Sequence, residues 1–352
     1  MVRSLFFHLG DRKTGSTSIQ RALATGAGSC PGVTLLYPAK AHHIPLATAL
    51  IPPAPPARRA RLWQRLARTL AEADADIAVI SAEDFESVPP AALQAAIAEF
   101  LPEHLHDARF LAYVRPHAER VLSSWTQQVK MGLFSGPLDA FHQRTLARGR
   151  FRYAERFGAW RATFGDRFTL RPMIRSRLKD ADVVADFYDA VFAGATFALA
   201  DQPRTNEALC LEDLALLQAT QRQIRDTLGS SPLQAALGGR LAQILQTLPR
   251  PGQTKPQLHR ALAERIAADY RADAAALDAA FFDDTPMTHA LEAAPAKALD
   301  APQPLDPAAT MSPEERRLLR CWTDLVAGML AEDPEGQLRT LRRGRVQALV
   351  GS

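Results

Sequence analysis

The architecture of this chain is set near its amino terminus, in Leu5-Phe6-Phe7-His8-Leu9-Gly10-Asp11-Arg12-Lys13-Thr14-Gly15-Ser16-Thr17-Ser18-Ile19-Gln20. This segment predicts a short apolar strand, a tight loop with two glycines and a lysine, and a helix that begins on hydroxyl residues. Such an arrangement directs backbone N–H groups, the positive end of a helix and an ammonium group toward one point. It therefore predicts an anion site, and specifically a site for phosphate.

The loop, residues Leu9–Gly15 and here called the Lys13 loop, differs from the Walker pattern Gly-x-x-x-x-Gly-Lys-[Ser/Thr] in the place of its lysine. The two glycines have the Walker separation, but Ser16 follows the second one and the lysine lies inside the loop. A kinase or ATPase needs its lysine at the helix start, next to a hydroxyl on Mg²⁺. We therefore expect phosphate binding in another geometry. A capping box of Thr17 and Gln20 is the alternative explanation of the hydroxyl groups.

Length and composition limit the classes to which the protein can belong. The 352 residues suffice for one large domain or two ordinary ones. An apolar fraction of 47% and a charged fraction of 23% are those of a globular protein. The formal net charge of +4 suits anionic ligands, but it does not indicate nucleic-acid binding.

Cysteine usage and apolar runs predict a soluble, cytoplasmic protein. Cys30, Cys210 and Cys321 lie far apart without metal-ligand or CxxC spacing, which indicates a reducing compartment. The amino terminus enters the first strand without the apolar core and cleavage site of a signal peptide. No apolar run approaches the ~20 residues that span a bilayer, so we expect no membrane insertion.

Short apolar strands alternate with helices after the Lys13 loop. Apolar runs predict further strands, at residues 33–37, 77–80, 109–114 and 168–171. Helical patterns lie between them, at residues 58–73, 91–100, 117–130 and 182–192. The alternation predicts an α/β fold, a P-loop-like doubly wound parallel sheet flanked by helices.

The strand signals stop near Pro203, and helical patterns dominate beyond it. We therefore predict a core over residues 1–205 and a helical carboxyl-terminal extension over residues 206–352 that packs on or caps the core. In parallel sheets, ligands bind beyond the carboxyl ends of the strands. The Lys13 loop, Glu83 and Arg115 each follow a strand directly, so we expect all three at that edge.

A second anion site is predicted after the strand at residues 109–114. Arg115 stands at the end of that strand, and Ser123 follows about two turns into the next helix. Arginine suits phosphate because its planar fork meets two oxygens at once. An arginine at a strand end also serves as a surface salt-bridge partner, so this prediction depends on the Lys13 loop.

Together the two sites resemble those of the sulfotransferase family, particularly its bacterial members. Those enzymes carry a 5′-phosphosulfate loop, Lys-[Ser/Thr]-Gly-[Ser/Thr]-Thr, after the first strand, matched here by Lys13-Thr14-Gly15-Ser16-Thr17. They also carry a 3′-phosphate site with an arginine at a strand end and a serine eight residues later, the spacing of Arg115 and Ser123. Residues 151–166 and 182–187 add to the likeness, which covers about residues 3–210. The charged pair Asp11-Arg12 departs from the family pattern.

The resemblance implies transfer of a sulfuryl group from 3′-phosphoadenosine 5′-phosphosulfate (PAPS) to a hydroxyl or amine, which leaves 3′,5′-adenosine bisphosphate (PAP) and needs no metal. Lys13 would neutralise charge on the bridging oxygen, most strongly in the transition state. Arg115 and Ser123 would hold the 3′-phosphate, which distinguishes PAPS from ATP. The implied donor-binding residues are Arg12, Lys13, Thr14, Gly15, Ser16, Thr17, Ser18, Arg115 and Ser123.

An acceptor hydroxyl must also lose its proton. Family members use a histidine or glutamate just after the third strand, and Glu83 stands at that position. Ser81 and Asp84 could instead form a capping box there, which would still leave Glu83 available. His8 is the second candidate base, directed either into the site or into the sheet packing.

The acceptor pocket is expected among loops at residues 38–57 and 131–150 and in parts of the tail. A carbohydrate is the default acceptor, followed by a lipid or a small metabolite. His42 and His43 could line this pocket, but as loop histidines they are expected to be exposed and inert.

Two other functions stay open at this point. An ATP-dependent small-molecule kinase with a variant loop would need Mg²⁺, and the displaced Lys13 argues against it. A catalytically silent nucleotide-binding or scaffold protein on the same fold is the other, suggested by Asp11-Arg12 and the helical tail.

Overall fold

The computed structural model describes residues 2–201, 209–229, 231–248, 254–306 and 311–350. Two compact units alternate along the chain. The first comprises Met1–Pro116, Arg152–Pro203 and Asp273–Met287, and the second comprises His117–Phe151, Arg204–Ala272 and Thr288–Ser352. The predicted boundary between residues 205 and 206 lies outside the described residues, and the capping role of the carboxyl-terminal region stays a prediction. Residues 117–151, predicted within the core, belong to the second unit, whereas residues 273–287 belong to the first.

The first unit is built on a parallel sheet. The strands of the chain are β1 (Ser4–His8), β2 (Gly28–Ser29), β3 (Leu35–Leu36), β4 (Ile77–Ser81), β5 (Arg109–Val114), β6 (Phe168–Pro172) and β7 (Ala198–Leu199). In the described ranges, five of them form one sheet in the order β3-β4-β1-β5-β6 with all neighbours parallel, and β2 pairs with β7 antiparallel. The predicted α/β fold with a central parallel sheet is confirmed.

Helices account for most of the remaining described chain. They are α1 (Ser16–Ala24), α2 (Ile44–Thr48), α3 (Pro56–Glu72), α4 (Pro90–Phe100), α5 (His117–Lys130), α6 (Leu138–Ala147), α7 (Tyr153–Phe164), α8 (Val183–Val191), α9 (Leu211–Leu228), α10 (Pro232–Thr247), α11 (Arg260–Phe281), α12 (Pro286–Glu292), α13 (Pro313–Glu332) and α14 (Pro334–Val350). The four helices predicted between the strands are α3, α4, α5 and α8. None of the helices in the described ranges combines the length and apolar character needed to cross a membrane.

Successive side chains of β1 enter different cores, because side chains alternate across a strand. Phe6 belongs to a buried cluster with Phe187 of α8. Phe7 stacks on Phe110 of β5 with 5.4 Å between ring centroids, and Trp63 of α3 lies 6.5 Å from Phe7. Helices therefore cover both faces of the sheet, which explains why its inner strands β1, β4 and β5 are largely apolar runs without alternation.

The strand predicted at residues 33–37 forms only in part. β3 covers Leu35–Leu36, while Val33 forms an isolated bridge with Cys30. Between them, the backbone N–H and the hydroxyl of Thr34 both donate to Asp76 Oδ2, at 2.9 and 2.7 Å. The first of these bonds occupies the Thr34 N–H, which a longer ladder would use, whereas the Thr34 carbonyl still accepts from the Ile77 N–H at 3.1 Å.

A buried carboxylate joins β5, β6 and α8. Asp186 of α8 accepts a hydrogen bond from the Tyr113 hydroxyl at 2.7 Å and pairs with Arg171 at 2.9 Å. The backbone N–H of Lys179 donates to the other carboxylate oxygen at 3.0 Å. Burial, and then the negative charge of Asp186, raise the pKa of Tyr113, so its hydroxyl remains a donor. This network holds the carboxyl end of β5, just before Arg115.

The described part of the second unit is helical. A small apolar core joins α9, α10 and α13 through Ile224, Leu233, Leu237 and Leu330. Beside it, Gln221 of α9 donates to the backbone carbonyl of Gln234 at 3.2 Å, and Gln234 of α10 donates to the carbonyl of Gln221 at 3.1 Å. Each buried amide nitrogen thus has a hydrogen-bond acceptor, without which its burial would cost free energy.

Candidate active site

The site lies at the carboxyl edge of the sheet in the first unit. β1 is the central strand, and its last residue, His8, pairs with Ser81 of β4 and Leu111 of β5. The chain builds β3 and β4 on one side of β1 and then crosses to β5 on the other side. Ligands bind parallel sheets where the strand order reverses in this way. The Lys13 loop follows β1, Glu83 follows β4 and Arg115 follows β5, so all three lie at this edge.

The Lys13 loop is held in a conformation that most residues avoid. Gly10, Lys13 and Gly15 have φ angles of 63°, 71° and 83°. Two of these positions are glycines, which adopt positive φ without steric cost. Lys13 has a side chain, and positive φ at such a residue is a strain that the surrounding structure must hold. Strain of this kind is concentrated at binding and catalytic sites.

The first turn of α1 opens toward the loop without a side-chain cap. Gly15 is the N-cap residue, and no side chain bonds to the helix start. The N–H groups of Ser18 and Ile19 both donate to the Gly15 carbonyl, at 2.9 and 3.1 Å. The earlier N–H groups, at Ser16 and Thr17, are those that an anion bound at a helix start accepts from.

The alternative explanation, a capping box of Thr17 and Gln20, is therefore contradicted. The helix begins one residue before Thr17, at Ser16, and the Gln20 side chain donates to Ser81 Oγ at 3.3 Å instead. The Gln20 side chain thus bonds to Ser81 of β4 rather than to the start of its own helix.

Glu83 lies directly beside the Lys13 loop. It opens a 3₁₀ turn, Glu83–Ser87, here called the Glu83 turn, and its side chain is half-buried. A Cβ placed on Gly10 would come within 2.6 Å of the Glu83 Cα. The N–H of Ala82 also donates to the His8 carbonyl at 3.3 Å. The loop and the turn thus pack backbone against backbone.

The alternative capping box of Ser81 and Asp84 is not formed either. Ala82 is the N-cap residue of the Glu83 turn, and no side chain caps it. Ser81 Oγ instead bonds to His8 Nδ1 at 2.8 Å, and Asp84 Oδ1 accepts from the Arg12 guanidinium at 2.7 Å.

The charged pair Asp11-Arg12 has partners of its own. Asp11 is fully buried, and its carboxylate pairs with Arg156 of α7 at 3.1 Å. Arg12 is directed outward, where its guanidinium meets Asp84 and its backbone N–H donates to Glu86 Oε2 at 3.1 Å. Arg156 was not predicted as a partner of this pair, because it is 145 residues from Asp11 along the chain. The sequence signal for such a partner is Asp11 itself, an acidic residue between an apolar strand and the apolar face of a helix.

Thr14 closes the loop on itself. Its hydroxyl donates to the Asp11 carbonyl at 2.6 Å, and its N–H donates to the same oxygen at 3.3 Å. The side chain is fully buried. The contribution of Thr14 in this structure is to the shape of the loop.

His8 lies within the sheet packing, the second of the two orientations left open by its sequence position. It is fully buried, and its ring meets Phe187 with 5.3 Å between centroids and Tyr113 with 6.2 Å. Burial lowers the pKa of His8 to about 3. The imidazole is therefore neutral at physiological pH, with Nδ1 engaged by Ser81.

The expectation that His42 and His43 are exposed is wrong. His42 is half-buried, and His43 is buried with its ring 5.0 Å from that of Tyr37. His43 Nδ1 accepts a hydrogen bond from the Ser81 N–H at 3.1 Å, and burial lowers its pKa to about 4. Two histidines thus meet Ser81, one at its hydroxyl and one at its backbone.

Arg115 and Ser123 belong to different units. Arg115 is half-buried and follows β5 in the first unit, while Ser123 is half-buried on α5 in the second. Their common role at a 3′-phosphate stays a prediction.

No family model matches the chain, and no curated protein does so. Among solved structures, the chain is similar to a crystal structure of a sulfotransferase from Alicyclobacillus acidocaldarius. The sequence identity is 14% and the TM-score is 0.43, and the similarity covers 83% of this chain and 100% of the other.

Proposed function

We propose that this chain is a sulfotransferase that uses PAPS as donor and a hydroxyl or amine as acceptor, with carbohydrates as the first acceptor class. The observation that carries the proposal is the conformation of the Lys13 loop. An ammonium group stands inside the loop, at a strained position between two left-handed glycines, ahead of an uncapped helix start. A lysine in that place suits a bridging oxygen better than the terminal phosphate of a nucleotide.

The residues of the loop fit a 5′-phosphosulfate. When bound, PAPS would supply a sulfuryl group whose bond to the bridging phosphate oxygen breaks as the acceptor oxygen bonds to sulfur. The N–H groups of Ser16 and Thr17 would hold the 5′-phosphate at the positive end of α1. Lys13 would neutralise the negative charge that the departing sulfuryl group leaves on the bridging oxygen, and this stabilisation would grow as the charge develops.

Glu83 is the residue we assign as general base. Its carboxylate would take the proton of the acceptor hydroxyl as the new bond to sulfur forms. It is half-buried rather than enclosed, and its backbone packs on Gly10 of the Lys13 loop. His8, the other candidate, is fully buried with its pKa lowered to about 3. The neutral ring beneath the loop fits a packing role.

Arg115 and Ser123 are proposed to hold the 3′-phosphate of the donor. Arginine at the end of a strand adjacent to β1 is suited to the task because its fork matches two phosphate oxygens. Binding of the 3′-phosphate would make the site selective for PAPS and PAP over ATP, which has no phosphate at the 3′ position.

Isothermal titration calorimetry with PAP, and separately with ATP and Mg²⁺, tests the proposal. We expect PAP to bind and ATP to bind at least tenfold more weakly, a difference of about 1.4 kcal/mol. Tighter binding of ATP with Mg²⁺ would support the kinase instead. If PAP binds but PAPS is never turned over with any acceptor class, the silent nucleotide-binding protein is favoured. Failure of PAP to bind at all would refute the proposal.

A further inference from the structure

The Lys13 loop and the Glu83 turn are joined by the residue next to Lys13. Arg12 donates from its backbone N–H to Glu86 Oε2 at 3.1 Å and from its guanidinium to Asp84 Oδ1 at 2.7 Å. Both acceptors lie in the Glu83 turn, on either side of Phe85, which is fully buried. With the contact of Gly10 against Glu83, three successive points connect the two segments.

The Arg12–Asp84 pair is poorly suited to stabilise the fold. The Arg12 side chain is 47% exposed, and exposed ion pairs contribute little to folding because water and salt screen them. A guanidinium bonded to Asp84 is also less available to a phosphate. The place of this ion pair in the chain indicates another role, since Arg12 adjoins Lys13 and Asp84 adjoins Glu83. A bond between these two neighbours constrains the two groups to which we assign the chemistry.

We propose that Arg12 is a positioning residue that holds the Glu83 turn against the Lys13 loop, rather than a ligand of the donor. The roles of Lys13 and Glu83 in this statement rest on the proposed function. The clamp itself rests on the two hydrogen bonds and on the buried Phe85 that anchors the turn. A ligand that orders the loop would, through Arg12, also order the turn that carries the base.

Hydrogen exchange of the full chain, with and without PAP, tests this coupling. The variants are Arg12→Ala, Arg12→Lys and Asp84→Ala. Arg59→Ala is the matched control, because Arg59 and Glu99 form another exposed pair of 2.7 Å, on α3 and α4. Without ligand, we expect amides 83–87 to exchange roughly two- to fivefold faster in Arg12→Ala and Asp84→Ala than in Arg59→Ala. Arg12→Lys should restore part of the protection.

With PAP bound, we expect protection of both segments in the unchanged chain and in Arg59→Ala. In Arg12→Ala and Asp84→Ala the loop should stay protected while the turn loses its added protection. A merely stabilising pair would shift both segments together. Calorimetry on the same variants should give PAP affinities within about threefold of one another.

Three results would overturn the proposal. Unchanged exchange of residues 83–87 in ligand-free Arg12→Ala would show that the Arg12 side chain does not hold the turn, because only the backbone bond to Glu86 persists in that variant. Intact protection of the turn by PAP in that variant would show that the coupling runs elsewhere. Loss of PAP affinity in Arg12→Ala but not in Asp84→Ala would make Arg12 a donor ligand. Absence of any PAP effect in the unchanged chain would count against the proposed function, and the ligand-free comparison would still decide the clamp.

Discussion

Gly10 lies so close to the backbone of Glu83 that a Cβ on Gly10 would stand 2.6 Å from the Glu83 Cα. Real side chains do not approach a backbone atom this closely, so the contact requires glycine. It sets the distance between the Lys13 loop after β1 and the Glu83 turn after β4. The relative placement of the proposed lysine and base therefore depends on a residue that has no side chain.

Gly10→Ala is expected to destabilise the first unit and to weaken PAP binding. The positive φ at Gly10 costs an alanine about 1 kcal/mol, and the clash with Glu83 adds roughly 1–3 kcal/mol. Chemical denaturation and calorimetry with PAP measure the two effects.

Gly26→Ala is the control for that substitution. Gly26 has the same φ of 63°, but a Cβ there meets no atom within 4 Å. It should therefore show only the backbone cost of about 1 kcal/mol, with PAP affinity unchanged. Equal losses at the two positions would mean that the close approach to Glu83 contributes nothing.

Substitutions at Lys13 should separate stability from turnover. Lys13→Ala and Lys13→Gly both remove the ammonium group, so PAPS turnover should fall roughly 10²- to 10³-fold in each. Glycine tolerates the φ of 71°, so Lys13→Gly should be more stable than Lys13→Ala by about 1 kcal/mol. Release of PAP reports turnover and thermal unfolding reports stability. Turnover within a few-fold of the unchanged chain would remove Lys13 from its assigned role.

Glu83→Gln should slow turnover far more than it weakens donor binding. The amide has the shape of the carboxylate but cannot accept the acceptor's proton, so we expect a loss of roughly 10²- to 10⁴-fold in turnover. The affinity for PAP should stay within about threefold, because the Gly10 contact involves only the Glu83 backbone. Glu99→Gln on α4 is a control away from the loop. A collapse of PAP binding with little change in turnover would make Glu83 a structural residue.

Acid should destabilise the fold through its buried histidines. The pKa of His8 is lowered to about 3 and that of His43 to about 4, both by burial. Below about pH 6.5 the unfolded chain binds protons that the folded chain does not, so the free energy of unfolding falls as the pH falls. Each histidine should account for about 2 kcal/mol between about pH 7 and pH 5.

His8→Asn and His43→Asn test this dependence, because asparagine does not titrate and can still meet Ser81. Urea denaturation at the two pH values should show a smaller loss in each variant than in the unchanged chain. Equal losses in all three proteins would mean that these histidines become charged without unfolding.

Features that depend on local patterns could be predicted from the sequence. The strand at residues 109–114 was predicted with the bounds it has, because a run buried on both faces is apolar throughout. The Lys13 loop was placed correctly between β1 and α1, since strand, glycine and helix start follow one another in the chain. At residues 33–37 the prediction was too long, because Thr34 bonds to Asp76 instead of extending the ladder.

Hydrogen-bond partners of polar side chains were not predictable where a side chain bonds to a residue distant in sequence rather than to a near neighbour. Both capping boxes were alternatives suggested by the i, i+3 spacing, yet Gln20 and Ser81 bond to each other across 61 residues. His43 was expected to be exposed because it follows a strand in a loop, but it accepts a hydrogen bond from the N–H of Ser81. No spacing rule reports such contacts, because they arise only when the strands are side by side.

Short stretches of sequence account for the apolar strands, the glycines that permit positive φ and the place of the lysine inside the loop rather than at the helix start. These follow from steric and hydrophobic preferences of short segments. Three features instead depend on contacts between distant parts of the chain: His8 is neutral and enclosed, Asp11 pairs with Arg156, and Arg12 bonds to the turn that carries Glu83. A parallel sheet brings the ends of β1 and β4 together, and desolvation then favours pairing of the polar groups that are buried there.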